Sequence, residues 1–359
     1  MKLNKIIIFY PSFEKGGVEN ILINLINYFL SKKIMITLIS GQFRNKQIQN
    51  NKLFNLKNVS LKKNLFLNNR ITTSLLALSK LDDELKKSSN KNSILFSLQS
   101  SSLSIILAKY YNFKIVIRNA EDPIYSTIHK ENKISALIVL LLKAITYNFA
   151  NGIITNSKGS KASLNKFLIK NKNIDYIYNP YLKKIFPRNK AKRKKYILSV
   201  GRLTKQKDFN SLIKAFSYIT EKIPQYKLII VGDGDLKKKL KKYISNLNLK
   251  NKIMLTGWKK NLKKYYESAS VFVLPSLYEG LGNVVIDAVN YEVPTIVTNC
   301  KSGPNEIILK NNGGYVVPIS SPRKLSNTIL YVINNYSLSK KKALYSKKYL
   351  SRFLCEKNS

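Results

Sequence analysis

Short β-branched runs alternate with longer helical stretches along almost the whole chain, and this alternation limits the folds open to it. In the first half, strands are expected at Lys5–Tyr10, Ile34–Ser40, Ser93–Leu98, Phe113–Arg118, Gly152–Asn156 and Ile174–Tyr178. Helices fit between them at Val18–Leu30, Ser102–Tyr110, Ile134–Phe149 and Lys158–Phe167. The Asn179-Pro180 pair favours a turn. After it, Lys183 to Lys195 is poor in apolar residues, contains Pro187 and carries eight basic residues. The alternation then restarts, with strands expected at Tyr196–Val200, Tyr226–Val231, Ile253–Thr256, Val271–Leu274 and Thr295–Thr298. The helices expected with them are Phe209–Glu221, Leu236–Leu247, Leu262–Ala269, Val284–Tyr291 and Arg323–Ile333. Such alternation implies βαβ units and parallel sheets. The reading is an α/β protein with two doubly wound, Rossmann-like domains facing across a cleft. It places a first domain at 1–185, a linker at 186–195, a second domain at 196–335, and a helical tail at 336–359 that can pack back on the first domain. In such sheets ligands bind outside the carboxyl ends of the strands.

Composition sets bounds on function. A length of 359 residues favours two domains, and 44% hydrophobic residues allow each a core. Cys300 and Cys355 match no metal-ligand spacing, and a single pair makes no disulfide framework, so a reducing cytoplasm is the simplest home. The net charge of +44 is spread over nearly every expected helix. It fits a Lys-, Asn- and Ile-rich composition, and also attraction to an anionic membrane surface. No nucleic-acid-binding signature accompanies it, so nucleic acid is not expected as a partner. The N-terminal apolar run is too short for a signal-peptide core. Ile134 to Ala150 falls short of a membrane span and carries Lys143, which favours a buried or interfacial helix.

Two loops of the second half carry recognisable chemistry. Strand YILSV runs into Gly201-Arg202-Leu203, with Lys205, Gln206 and Lys207 next. Glycine at a strand exit admits a ligand to the backbone, and a guanidinium and an ammonium together can grip a diphosphate. The alternative is an ordinary basic loop. The second loop, Leu274 to Asn283, holds Glu279 between Tyr278 and Gly280, and Asp287 follows about two turns along a helix. Carboxylates in a Gly-rich strand-to-helix loop stand out in so basic a chain. Gly280 and Gly282 leave backbone N–H groups free at a helix N-terminus, an anion-binding arrangement. Glu279 can accept from sugar hydroxyls and Asp287 from a second polyol; the bland alternative is that Glu279 caps the helix. Asp233-Gly234-Asp235 matches an Asp-x-Asp metal site, but it sits at a turn where Asp235 is expected as a helix N-cap. No metal is expected.

The segments GRLTKQKD, VGDGDLKKKL, LTGW, SLYEGLGNVVIDAV, TNCKSGPNEII and GGYVVP follow one another in this order. In this the chain resembles glycosyltransferase family 4, the group 1 glycosyltransferases of GT-B fold, over Tyr196 to about Ile333. Gly16-Gly17-Val18-Glu19 adds a weaker hallmark after the first strand, and Cys300 to Pro304 resembles the subgroup that builds bacterial surface polysaccharides and lipid-linked oligosaccharides. The resemblance implies a retaining transfer of a hexose or N-acetylhexosamine from a nucleotide-diphosphate sugar, with no cofactor. It implies that Arg202 and Lys207 bind the donor diphosphate and that Glu279 contacts the transferred sugar. The amides of Gly280, Leu281, Gly282 and Asn283 would hold sugar and phosphate oxygens, and Asp287 the ribose. Gly201 would lie at the diphosphate and Gly257 and Trp258 near the base, and Gly16 and Gly17 would approach the diphosphate from the first domain. The implied partners are the nucleotide sugar, a lipid-linked or polysaccharide acceptor and an anionic membrane surface. The implied place is the cytoplasm, peripheral to the inner face of the membrane.

Two departures from the family pattern stand out. Asp287 occupies a position where the family usually has Glu. The first-domain strand end that often carries a histidine reads Arg118-Asn119 here, and the chain's one histidine, His129, lies eleven residues past Arg118. Arg118 or Asn119 can take that position. Two competing readings are a nucleotide-sugar 2-epimerase of similar fold, which would isomerise a sugar nucleotide without acceptor, and a basic non-enzymatic binding protein, which would not need Glu279 and Asp287 in a glycine-rich pocket.

Overall fold

The computed structural model describes residues 3–11, 17–41, 43, 45–59, 69–99, 101–120, 122–125, 133–170, 173–189 and 191–355. Gly16 and His129 lie outside them. The chain divides into two units, one of residues 1–183 with 353–359 and one of residues 184–352.

The first unit holds strands β1 (Lys5–Tyr10), β2 (Met35–Ser40), β3 (Phe54–Asn58), β4 (Ser93–Ser97), β5 (Lys114–Asn119), β6 (Gly152–Thr155) and β7 (Ile174–Tyr176). Its helices are α1 (Gly17–Ser31), α2 (Lys46–Gln49), α3 (Asn69–Lys87), α4 (Ser101–Tyr110), α5 (Lys133–Thr146) and α6 (Lys158–Phe167). The strands form one parallel sheet in the order β3-β2-β1-β4-β5-β6-β7. Both faces of it are covered. Ile7 and Phe9 of β1 belong to one apolar cluster, and Ile6, Ile8 and Tyr10 to another. Period-two alternation sends successive side chains to opposite faces, so a strand this uniformly apolar needs cover on both.

The second unit holds β8 (Lys194–Val200), β9 (Lys227–Val231), β10 (Ile253–Leu255), β11 (Ala269–Leu274), β12 (Thr295–Thr298) and β13 (Tyr315–Val317). Its helices are α7 (Phe209–Ser217), α8 (Lys237–Asn246), α9 (Lys263–Ser268), α10 (Asn283–Asn290), α11 (Pro304–Ile307), α12 (Pro322–Asn334) and α13 (Tyr336–Lys347). The sheet is again parallel, in the order β10-β9-β8-β11-β12-β13. α7 shows why these helices dock: Phe209, Leu212, Ile213 and Phe216 fall at helical spacing and are all buried against Ile197, Leu228 and Val271.

Each sheet reverses its direction of growth once, between β1 and β4 and between β8 and β11. At such a switch point the carboxyl ends of the two central strands open a crevice for ligand.

Several expectations change. β3 and α3 fall in a stretch for which the sequence suggests neither, and β13 was read only as a motif. The segment expected as a linker at 186–195 is held to the second unit. Phe186 N donates to Asn290 Oδ1 at 2.9 Å, and Asn189 Nδ2 donates to Glu267 O and Tyr291 O. Arg193 donates to five carbonyls between Tyr266 and Glu292, and β8 already begins at Lys194. These donors add hydrogen bonds to carbonyls that cluster at the ends of α9 and α10 and the start of β11. Of the tail, α13 lies in the second unit, whereas Phe353 returns to the first, where its carbonyl accepts from Tyr181 N and Leu182 N. The apolar helix ends at Thr146, and Tyr147–Phe149 continue as a 3-10 turn with Tyr147 buried.

Candidate functional site

The carboxyl end of β8 runs through Gly201 and Arg202 to Leu203, which is fully buried and fixes the loop. Lys205–Lys207 form a 3-10 turn, and Asp208 takes a left-handed conformation at φ 42° before its side chain caps α7 at Ser211 N. Burial pushes the Asp208 carboxyl upward, offset by its hydrogen bond from Ser211. The turn folds the Lys207 stem over Gly201. A Cβ at Gly201 would stand 3.2 Å from Lys207 Cε and 3.3 Å from Cδ. A side chain at Gly201 would therefore press on the Lys207 stem and require it to shift by a few tenths of an ångström.

From this position Lys207 Nζ forms an ion pair with Glu279 Oε1 in the loop after β11. Ser276 Oγ donates to the same oxygen at 2.7 Å. Both side chains of the pair are largely out of solvent, 12% and 8% exposed. The two loops are also joined through backbone: Leu277 N donates to Gln206 O at 2.8 Å, and Gln206 Nε2 to Tyr278 O at 3.1 Å.

A third loop, after β12, supports the second. Ser302 Oγ donates to Glu279 O at 2.7 Å, Cys300 Sγ to Ser276 O at 3.2 Å, and Thr298 Oγ1 also to Ser276 O. Gly303, at φ 87°, lies so close that a Cβ would come within 2.3 Å of Gly280 O. Burial pushes the Cys300 thiol up to about 12, which makes it an inert packing group with a weak S–H donor. Glu279 is thus held through its carboxylate by Lys207 and Ser276 and through its carbonyl by Ser302.

α10 begins directly after this loop. Its N-cap is Gly282 at φ 81°, with no side-chain cap, so the reading of Glu279 as a helix cap falls away. Val285 N donates to Gly282 O at 2.8 Å, and the helix dipole favours negative charge at this end. Gly280 and Leu281 are buried, and Asn283 and Asp287 are half-buried on α10. At the neighbouring strand ends, Gly257 follows β10 at φ 74°, its carbonyl accepting from Gly232 N at 3.0 Å, and Trp258 beyond it is 55% exposed. Arg202 is exposed. Since the strands are parallel and adjacent, the loops carrying Arg202, Gly257, Glu279 and Cys300 all leave the same edge of the sheet. The structure joins Gly201, Lys207 and Glu279 by direct contact, and places Arg202, Trp258 and Asp287 around them by strand order.

The Asp-x-Asp segment is arranged differently from the expected cap. α8 starts at Lys237, and Asp233 instead accepts from Gly234 N at 2.9 Å and pairs with Lys237 at 2.7 Å. These contacts, Lys237 foremost, pull its carboxyl below the usual range. In the first unit Gly17 opens α1. Arg118 and Asn119 end β5, and both are buried.

Residue-by-residue reading of the sequence missed Ser276, Ser302 and Gly303. Their signal is the repeated serine and glycine flanking Glu279 and Cys300, which acquires meaning only once β11 and β12 are known to be neighbours.

Residues 182–349 match the model of the family described as glycosyl transferases group 1. An uncharacterized glycosyltransferase of Methanocaldococcus jannaschii is 38% identical over 210 residues, 55% of this chain and 51% of that one. The Campylobacter jejuni N-acetylgalactosamine-N,N'-diacetylbacillosaminyl-diphospho-undecaprenol 4-alpha-N-acetylgalactosaminyltransferase is 30% identical over 232 residues, 63% of this chain and 62% of that one. The chain therefore spans between half and two thirds of the length of these curated relatives. Among solved structures, Anabaena HepE in complex with UDP and glucose aligns with a TM-score of 0.76 at 17% identity, over 98% of this chain and 96% of that one. That likeness is one of fold. Two doubly wound parallel sheets give the chain a GT-B fold, and residues 182–349, nearly all of its second unit, match the group 1 glycosyl transferase model.

Proposed function

We propose that this chain is a retaining glycosyltransferase of family 4. It moves a hexose or N-acetylhexosamine from a nucleoside-diphosphate sugar to a lipid-linked or polysaccharide acceptor in bacterial surface glycan synthesis. The observation that carries the reading is the buried Lys207–Glu279 pair, set beside Gly201 and the uncapped start of α10 at the carboxyl ends of β8 and β11. The group 1 match over this unit supports it, as does a relative named for transfer to a diphospho-undecaprenol acceptor. A structural neighbour that holds UDP and glucose supports the nucleotide-sugar donor.

In this reading Arg202 and Lys207 neutralise the leaving diphosphate, the first as a fork and the second as a point charge. Glu279 receives hydroxyls of the transferred sugar, the amides from Gly280 to Asn283 hold its oxygens, and Asp287 holds the ribose. No cofactor or metal is assigned a part, so chelator should leave turnover intact. Complete inhibition rescued by manganese would instead make Asp233 and Asp235 ligands.

A lipid-linked acceptor of this kind would be met at a membrane surface. Among the described residues no helix is long and apolar enough to cross a membrane. α5, however, exposes Ile134, Leu137, Ile138, Leu141 and Ile145 at helical spacing, each more than half exposed. That stripe, in a chain of net charge +44, suits peripheral binding to an anionic bilayer.

A thermal-shift screen against UDP-, GDP- and ADP-sugars tests the donor. A sugar nucleotide at about a hundredfold over its Kd should stabilise by roughly 2.7 kcal/mol. A flat response to all three would remove the reading.

A further inference from the structure

Arg118 is the penultimate residue of β5 and is 8% exposed. Its guanidinium carries five N–H donors, and its Nη2 donates to Asn179 Oδ1 at 2.5 Å. Asn179 is an uncharged amide, itself 4% exposed. Apart from burial, the influence on this guanidinium comes from the Tyr10 phenol at the end of β1. Among the described residues no carboxylate pairs with it. Asp122, four residues on, holds its own turn instead, accepting from Ile124 N at 3.0 Å and Tyr125 N at 2.8 Å. Burial pulls Arg118 down to about 10, so it remains a cation at neutral pH.

A buried cation with no carboxylate partner among the described residues is held at a cost to the fold. Groups kept at such a cost are characteristic of ligand sites. The position agrees. β5 lies beside β4, whose other neighbour is β1, and the sheet reverses between those two. Arg118 therefore stands at the carboxyl edge, one strand from the switch point. The backbone beyond it is fixed by Asn156 Nδ2, which donates to Ala120 O at 3.0 Å.

We propose that Arg118, oriented by Asn179, forms an anion subsite in the first unit and that its ligand is a diphosphate group. A planar guanidinium meets phosphate oxygens in pairs, which suits it to this ligand better than a point charge would. The inference rests on the glycosyltransferase reading, in which a diphosphate has two sources: the nucleotide donor and the lipid-linked acceptor.

The full chain and its Arg118→Gln and Arg118→Lys variants can be titrated with UDP, with farnesyl diphosphate in detergent and with inorganic pyrophosphate. Loss of charge-assisted bonds should weaken pyrophosphate in Arg118→Gln by roughly tenfold to a hundredfold, with Arg118→Lys between the two. Its thermal midpoint should hold or rise, because an unpaired buried charge is removed. The same loss on farnesyl diphosphate assigns the acceptor as source, and on UDP the donor. Unchanged affinity for all three ligands, with a lowered midpoint, would make Arg118 a structural residue and overturn the proposal. A wild-type chain that binds pyrophosphate through Arg118 but no nucleotide sugar would sink the glycosyltransferase reading while leaving the subsite in place.

Discussion

Lys207 and Ser276 meet on one oxygen of Glu279, and this decides what each substitution should do. Lys207→Ala leaves a buried carboxylate without its cation, so about 3–5 kcal/mol of stability should go together with turnover. Arg202 is exposed; Arg202→Ala should lower turnover by roughly 10²–10³ while stability stays within about 0.5 kcal/mol. Kinetics and denaturant melts of the two variants check this, and equal stability losses would contradict the burial argument. The two carboxylates should also separate. On the proposed roles, Glu279→Gln should reduce turnover with donor KM little changed, and Asp287→Asn should raise donor KM with turnover nearly kept. Asp287→Glu should be tolerated. A silent Glu279→Gln beside an inactive Asp287→Asn would reverse the two roles. Cys300 gives an independent check on packing. With its thiol at about 12 against an ordinary 9.0, it should resist alkylation at pH 8 in the native chain and react in denaturant. Between those two values the unfolded thiol ionises while the folded one does not, so Cys300 withdraws stability as pH rises through that window. At this scale the residues of the Lys207–Glu279 pair were legible as candidates, since a carboxylate in a glycine-rich loop stands out in so basic a chain. Ser302 was not, because its hydroxyl reaches Glu279 only through the adjacency of β11 and β12, and Ser276, three residues before Glu279, carries no pattern that marks it as a partner.

The three loops after β8, β11 and β12 act as one element of the site, and Gly303 is where the third presses on the second. Gly303→Ala would place a Cβ 2.3 Å from Gly280 O in a backbone conformation that disfavours a side chain. A displaced Glu279 loop should follow, with stability lowered by about 1–3 kcal/mol and donor affinity lost as well. Unaltered donor binding in this variant would mean the third loop does not support the site. For α5, replacing Leu141 and Ile145 by Glu removes two side chains from the exposed stripe, each capable of about 1.5–3 kcal/mol on burial. Sedimentation with anionic vesicles should drop steeply, and unchanged sedimentation would show that the stripe does not enter the bilayer. The elements that read well from sequence are the ones that bury both faces or a whole helical side, as β1, β11 and α7 do. β3 was missed because it is an edge strand, FNLKN, with Phe54 and little else buried, so its polar residues hide the period. The basic segment at 186–195 misled for the opposite reason. Its charge suggests solvent, yet Arg193 is engaged by backbone carbonyls that no sequence pattern marks.

For the molecule as a whole, the net charge of +44 and the α5 stripe predict two separable contributions to membrane binding. The electrostatic one, about 1 kcal/mol per basic residue near the surface, is screened by salt, and the apolar one is not. Vesicle sedimentation should therefore fall as salt rises and vanish by molar salt if charge dominates; retention there would assign the anchoring to α5. No binding to anionic vesicles at any salt would contradict a membrane role. The central claim is sugar transfer, and mass spectrometry of the acceptor tests it most directly. Incubated with the sugar nucleotide that stabilises it and a sugar-bearing polyprenyl diphosphate, the protein should add one sugar to the acceptor and release one nucleoside diphosphate per transfer, with Glu279→Gln reducing both together. A sugar nucleotide isomerised without acceptor, or an acceptor of unchanged mass under conditions where the donor binds, would contradict the account.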